Sequence, residues 1–157
     1  MTTTQRHEEF AEPTRAEIPA VTREHVRAME ASPSAPEWNG AGMAHLVLRT
    51  LGRRSGREHK VALPYWVDRD GTCIVVASFA GAPQHPAWYL NLSDRTANPE
   101  VCVRVQSRSF QAEARVLEGD EYARTWAVLS ADRPFYADYQ SRTTRKLPLV
   151  RLVERKA

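Results

Sequence analysis

The chain has 157 residues, enough for one core, and its 42% hydrophobic and 26% charged residues match ordinary globular usage and exclude bulk disorder. Its formal charge of +3 comes almost wholly from arginine, with only Lys60, Lys146 and Lys156 as lysines, and the acidic residues are interspersed through the sequence. That pattern excludes a dedicated nucleic-acid binder, which needs a continuous basic face or tail, and favours local anion capture.

Residues 1 to about 15 are polar and predict a mobile arm, and the absence of any long apolar run predicts a soluble cytoplasmic protein with no integral membrane segment. Thr22 is placed to cap a helix running to about Met29, with Val26 and Met29 at helical spacing, and Ser32-Pro-Ser-Ala-Pro36 ends it. The period then changes to two. Ala44 to Thr50 predicts a strand, Lys60 to Val67 its hairpin partner, and Asp68-Arg-Asp-Gly71 a turn into a third antiparallel strand over Thr72 to Ser78. Pro86, at a first-turn position, opens a short helix to about Arg95, which Asn98-Pro99 stops. Val101 to Val105 and Phe110 to Val116 alternate as a second hairpin with one wet face. Asp120 to Ser130 predicts a helix with Tyr122, Trp126 and Leu129 inward, and Lys146 to Val153 a last strand with Pro148 at an edge. Cys73 and Cys102 each sit in an apolar run and predict two buried reduced thiols, with neither disulfide nor metal-ligand spacing. Six short antiparallel strands with small helices between them predict a compact, mainly β barrel.

The segment Leu51-Gly-Arg-Arg-Ser-Gly-Arg-Glu-His-Lys60 carries the clearest chemistry. Arg53, Arg54, Arg57 and Lys60 fall within eight residues on a turn bounded by Gly52 and Gly56. Guanidinium forks there can grip phosphate or carboxylate oxygens two at a time, and the glycines let a ligand approach the main chain. By contrast, the sequence holds no activated serine or cysteine motif, no metal spacing among His7, His25, His45, His59 and His85, and no GxGxxG after a strand.

Four blocks in one order, Leu-Arg-Thr-Leu-Gly-Arg-Arg-Ser-Gly, Val-Val-Ala-Ser78, Gly-Ala-Pro-Gln-His-Pro-Ala-Trp-Tyr-Leu-Asn-Leu92 and Ala-Asn-Pro-Glu-Val101, with Tyr136-Ala-Asp-Tyr139-Gln as a fifth, resemble the deazaflavin-dependent nitroreductase and quinone reductase family of actinobacteria. The resemblance covers about residues 44 to 153. It implies a split β-barrel of the flavin-reductase/FMN-binding type over 44–157, preceded by an arm and helix over 1–43. It also implies coenzyme F420, whose reduced form would pass a hydride to a small electron-poor quinone, enone or nitro acceptor. FMN as cofactor, and a non-catalytic coenzyme- or fatty-acid-binding protein, are the alternatives on this fold, and a homodimer is compatible with it.

By the same resemblance Arg53, Arg54 and Ser55 grip the coenzyme's phosphate, with Arg57 and Lys60 as further tail contacts. Ala77 and Ser78 meet the deazaflavin ring through a main-chain N–H or C=O. Phe79 stands where one branch of the family carries lysine. Gly81 and Pro83 shape the following loop, and the helix start at Pro86, with His85, faces the ring's anionic charge. Trp88 is either a ring contact or core. The acceptor pocket is assigned to Tyr136 and Tyr139, three apart on a helical turn, with Tyr65, Trp66 and Arg133 as further candidates. Arg133 replaces an aromatic and makes the pocket more cationic. Ser78, Tyr136, Tyr139 and solvent are the candidate proton donors.

Overall fold

A computed structural model describes residues 18–155, so the expected N-terminal arm lies outside the described residues. Helix α1 runs Ile18–Ala31 and a 3-10 segment Pro36–Gly42 follows it. The strands are β1 (His45–Leu51), β2 (Glu58–Pro64), β3 (Trp66–Val67), β4 (Cys73–Val76), β5 (Val101–Val105), β6 (Arg108–Val116) and β7 (Leu149–Glu154). Between them lie a second 3-10 turn (Phe79–Gly81) and the helices α2 (Ala87–Ser93), α3 (Gly119–Asp132) and α4 (Phe135–Ser141).

All the strands join one curled antiparallel sheet in the order β2-β1-β5-β6-β7-β4-β3, which is the expected split-barrel class with seven strands instead of six. The extra strand arises because the run expected over Lys60 to Val67 breaks at Tyr65, whose amide turns back to the Ala44 carbonyl at 3.0 Å. The expectation of three consecutive strands lying side by side is corrected. β2 is an edge strand on β1, whereas β4 crosses to the far side and pairs with β7, Val75 opposite Val150. β7 is therefore interior. Pro148 stands just before it and, lacking an N–H, contributes its carbonyl to the Ala77 amide at 2.9 Å.

Alternation along the strands sorts the core. Leu46 and Leu48 of β1, Val75, Ala77, Val103, Val150 and Leu152 fill the concave side with Trp88 and Leu92 of α2. On the other face, Ile74, Val76 and Leu149 pack against Tyr122 and Leu129 of α3 and Tyr136 of α4. At the far end Val47 meets Val26 and Met29 of α1 and Trp38. Thr22 does not cap α1, which begins earlier; its hydroxyl accepts the Ala62 amide of β2 at 3.2 Å. Both cysteines are free and half-buried, less enclosed than the sequence predicts: Cys73 stands at the start of β4, and Cys102 lies on the more open face of β5.

Candidate functional site

The arginine turn closes on its own backbone. Gly52 N–H donates to the Arg57 carbonyl and Gly56 N–H to the Gly52 carbonyl, each at 2.8 Å, and Gly56 takes φ +70, a conformation that favours glycine. Ser55 Oγ accepts the Arg57 amide at 3.1 Å, so this hydroxyl shapes the turn. Asn91, buried on α2, takes both the Arg53 amide (3.2 Å) and its guanidinium (2.9 Å) on Oδ1. Asn98 links strand and helix, accepting Leu51 N–H at 2.7 Å and donating to the carbonyls of Leu51 and Asn91, each at 2.8 Å. Arg54 and Arg57 are exposed. Lys60 is not gathered with them; its ammonium sits 2.8 Å from Glu30 on α1, and that hydrogen bond raises its pKa. The carboxylates of Glu30 and Glu58 make Lys60 a poor tail contact.

Residues 77–82 form the second seat. Ser78 is in the right-handed helical region, and Phe79, Ala80 and Gly81 follow at φ +46, +53 and +78. Arg145, from the segment between α4 and β7, holds this loop. Its Nη1 donates to the Ala77 carbonyl (3.1 Å), its Nη2 to that of Ser78 (2.8 Å) and its Nε to that of Ala82 (2.8 Å). Nη1 also lies 3.2 Å from His85 Nδ1. Arginine only donates, so His85 accepts there and carries its proton on Nε2. Burial and then the Arg145 charge lower the His85 pKa. Gly81 N–H returns to the Ser78 carbonyl at 2.9 Å and Ala82 N–H to that of Phe79 at 3.0 Å. The amides of Ser78, Phe79 and Ala80 donate to no acceptor among the described residues. A right-handed residue followed by a left-handed one turns successive amides toward a common point, the geometry of an anion-binding nest.

This geometry narrows the expectation for Ala77 and Ser78: Arg145 takes both carbonyls and the Ala77 amide is spent on Pro148, so of their main-chain donors only the Ser78 amide is left for a ligand. Pro86 is the N-cap of α2, not its first turn, and with seven residues that helix contributes little dipole. Trp88 belongs to the core beside Leu92.

On the other side of the loop stands α4. Gly81 packs so closely on it that an added Cβ would lie 2.6 Å from the Tyr139 carbonyl. Tyr136 is buried among Phe135, Tyr139 and the α3 core, and that burial raises its pKa while Arg133 opposes the shift. Tyr139 is half-buried, with the Arg142 guanidinium 5.1 Å from its ring centroid. Arg133 ends α3, and its Nη1 is buried without a hydrogen-bond partner. Its charge also reaches Tyr65, whose pKa burial raises, and His45, whose pKa burial brings down to about 4. The charge of Arg133 thus reaches both Tyr65 and Tyr136, but Tyr65 packs against the core on one face of the sheet and Tyr136 lies in that on the other, more enclosed than a lining residue. Trp66 lies further out, its indole N–H on Asp132 at 2.9 Å.

The seven residues of α2, about 10 Å long, connect the two seats: Asn91 grips Arg53 at one end and His85 meets Arg145 just before the other. Sequence reasoning missed Asn91, Asn98 and Arg145. Asn98 signalled only a helix stop, and Arg145 fell at the edge of an expected strand.

Three comparisons place the chain among known proteins. A family model described as F420H(2)-dependent quinone reductase matches residues 21–154. The chain is 35% identical over 113 residues to the F420H(2)-dependent quinone reductase Rv1261c of Mycobacterium tuberculosis, covering 70% of this chain and 73% of that protein. Among solved structures it resembles an F420-H2 dependent reductase, FDR-A, at 35% identity and a TM-score of 0.58, covering 69% of this chain and 92% of that one. Another, described as a domain-swapped dimer, matches at 35% identity and a TM-score of 0.58, covering 69% of this chain and 78% of that one.

Proposed function

The chain belongs to the F420H(2)-dependent quinone reductase family, and from that premise we propose a division of labour within its site. The family's reaction passes a hydride from the reduced coenzyme to a quinone. Arg53, Arg54, Ser55 and Arg57 would hold the phosphate and oligoglutamate tail. The amides of Ser78, Phe79 and Ala80, with Gly81 and His85 beside them, would hold the polar edge of the ring. The observation that carries this reading is α2, which sets a cationic turn and a donor-only loop at the two ends of one short rigid element. An elongated ligand, anionic at one end and able to delocalise negative charge at the other, matches that donor set.

When bound, the reduced deazaflavin supplies the hydride. The protein's part is to orient the acceptor, exclude water and offer donors where negative charge develops. Tyr139, half-buried beside the loop, would meet an acceptor oxygen with Tyr136 packed behind it, and Tyr65, half-buried against the other core and within reach of the Arg133 charge, is a further candidate. A phenol is protonated near neutral pH and burial raises the Tyr65 pKa further, so its hydroxyl is a donor. Quinones come first, with enones and nitro compounds as further acceptors. No helix among the described residues is long and apolar enough to cross a membrane. The likeness to a domain-swapped dimer supports a homodimer.

Fluorescence titration tests the reading. The chain should bind the deazaflavin more tightly than FMN, and the affinity should fall as salt screens the tail contacts. Oxidation of the reduced coenzyme should accelerate with menadione. Tighter binding of FMN would point to a flavin reductase. Tight coenzyme binding with no turnover across quinones, enones and nitroaromatics would point to a binding protein.

A further inference from the structure

Hydrogen bonding in the 77–82 loop is lopsided. Arg145 takes the carbonyls of Ala77, Ser78 and Ala82, Gly81 N–H shares that of Ser78, Ala82 N–H takes that of Phe79, and Arg142 Nη1 reaches that of Ala80 at 3.4 Å. Five of the six carbonyls, all but that of Gly81, are taken, while three consecutive amides, Ser78 to Ala80, have no partner among the described residues. These three residues are half-buried, so amides without a protein partner there are open to water or to a ligand. The conformation that leaves them so is costly, because Phe79 and Ala80 are non-glycine residues at φ +46 and +53. Such a turn persists only where its surroundings over-determine it. The contacts that do so come from one guanidinium, 60 to 68 residues further along the chain, on three carbonyls and His85 at 2.8 to 3.2 Å.

We propose that Arg145 is a positioning residue for coenzyme binding: it locks residues 78–80 into a donor-only receptor for an anionic ring edge and never itself needs to touch the ligand. This rests on the deazaflavin reading above. Arg145 sets the charge as well as the shape, because a cation behind three convergent amides strengthens their pull on an anion. Lysine would keep the charge and lose the planar fork that holds three carbonyls at once. It also follows that the loop recognises the ring alone, independently of the tail that the arginine turn takes.

The test measures binding, not turnover. Purified wild type, Arg145→Lys and Arg53→Ala would each be titrated with the full coenzyme and with the tail-less deazaflavin riboside, with thermal unfolding as a check on folding. Arg145→Lys should weaken both ligands by the same factor, about tenfold or more, and return the ionisation of the bound chromophore, read by absorbance against pH, toward that of the free ligand. Arg53→Ala should weaken only the full coenzyme. A folded Arg145→Lys with unchanged affinity for the riboside overturns the role of Arg145 while leaving the deazaflavin reading intact. Failure of the wild-type chain to bind the coenzyme overturns both, and binding of the coenzyme without any binding of the riboside overturns the ring receptor alone. Should Arg145→Lys not fold, amide exchange on the wild type decides: protection of Ser78, Phe79 and Ala80 by the riboside supports the receptor, and its absence overturns it.

Discussion

The turn at residues 51–58 and the loop at 77–82 both offer positive charge and backbone donors to an anion, but they are assembled in opposite ways. The turn carries its own cations in a contiguous run, with Arg54 and Arg57 on the surface and Arg53 pinned by one asparagine. The loop carries no cation, borrowing its guanidinium from Arg145. A seat of exposed arginines suits a flexible tail of varying length, because each contact is independent and screened. A seat of fixed amides suits a rigid ring, because its geometry is set before the ligand arrives.

Glycine substitutions should separate the two most strongly. At Gly81, with φ +78, an added Cβ would meet the Tyr139 carbonyl at 2.6 Å and the Arg142 Cβ at 2.9 Å, and neither can retreat without moving α4. Gly81→Ala should cost about 2 to 4 kcal/mol by denaturant unfolding and abolish ring binding. Gly56 has φ +70 but nothing within 4 Å of such a Cβ, so Gly56→Ala should cost only about 1 kcal/mol and leave ring binding intact. Equal costs would mean that the loop is not clamped.

Acid should reach both ends of the structure through a histidine each, unequally. His45 opens β1, donates Nδ1–H to the Met43 carbonyl at 2.8 Å and lies tilted against His25, ring centroids 4.8 Å apart; burial first, then the charges of His25 and Arg133, bring its pKa from 6.5 to about 4. The folded state therefore favours the neutral ring. Its contribution is complete above pH 6.5 and is lost as pH falls toward 4, at most about 3 kcal/mol. His85, shifted in the same direction beside Arg145, should add a smaller loss over the same descent. Unfolding free energies measured from pH 7 to 4 should fall, and His45→Asn should remove most of the slope.

Arg54→Ala tests the turn by itself. The side chain is exposed and holds nothing in place, so stability should not change. Affinity for the full coenzyme should drop roughly ten- to a hundredfold at low salt and recover at saturating coenzyme, while the tail-less riboside binds as before. An equal loss for the riboside would place the ring, not the tail, at this turn.

Regions built from near neighbours were the ones legible in the sequence. The β1–β2 and β5–β6 hairpins, the latter with Val103 opposite Phe110, follow from period-two runs flanking short turns, and α3 from its apolar face. The order of distant strands was not legible. The Cys-Ile-Val-Val run of β4 shows that both faces are buried, but period alone cannot choose β7 over β2 as its neighbour. Arg145 was hidden for the same reason: it sits among polar loop residues, and only closure of the chain brings it under residues 77–82. The cation of the local seat could be read from its own stretch of chain; that of the composite seat could not.

The smallest expected effect asks whether α4 belongs to either seat. Tyr136 is 3% exposed, and its neighbours are the rings of Phe135 and Tyr139 and the charge of Arg133. Tyr136→Phe keeps the ring and its packing and removes one hydroxyl, a loss of about 0.5 to 1.5 kcal/mol in stability. Nothing links that hydroxyl to the amides of 78–80 or to the arginine turn, so coenzyme affinity should stay within about twofold of wild type. Its removal does change the polarity behind Tyr139, where an acceptor oxygen would sit. kcat/KM should therefore fall for some acceptors more than others, with preference shifting among quinones, enones and nitroaromatics in steady-state assays. A tenfold loss of coenzyme affinity instead would show that α4 supports the ring seat directly, making three elements of what is described above as two.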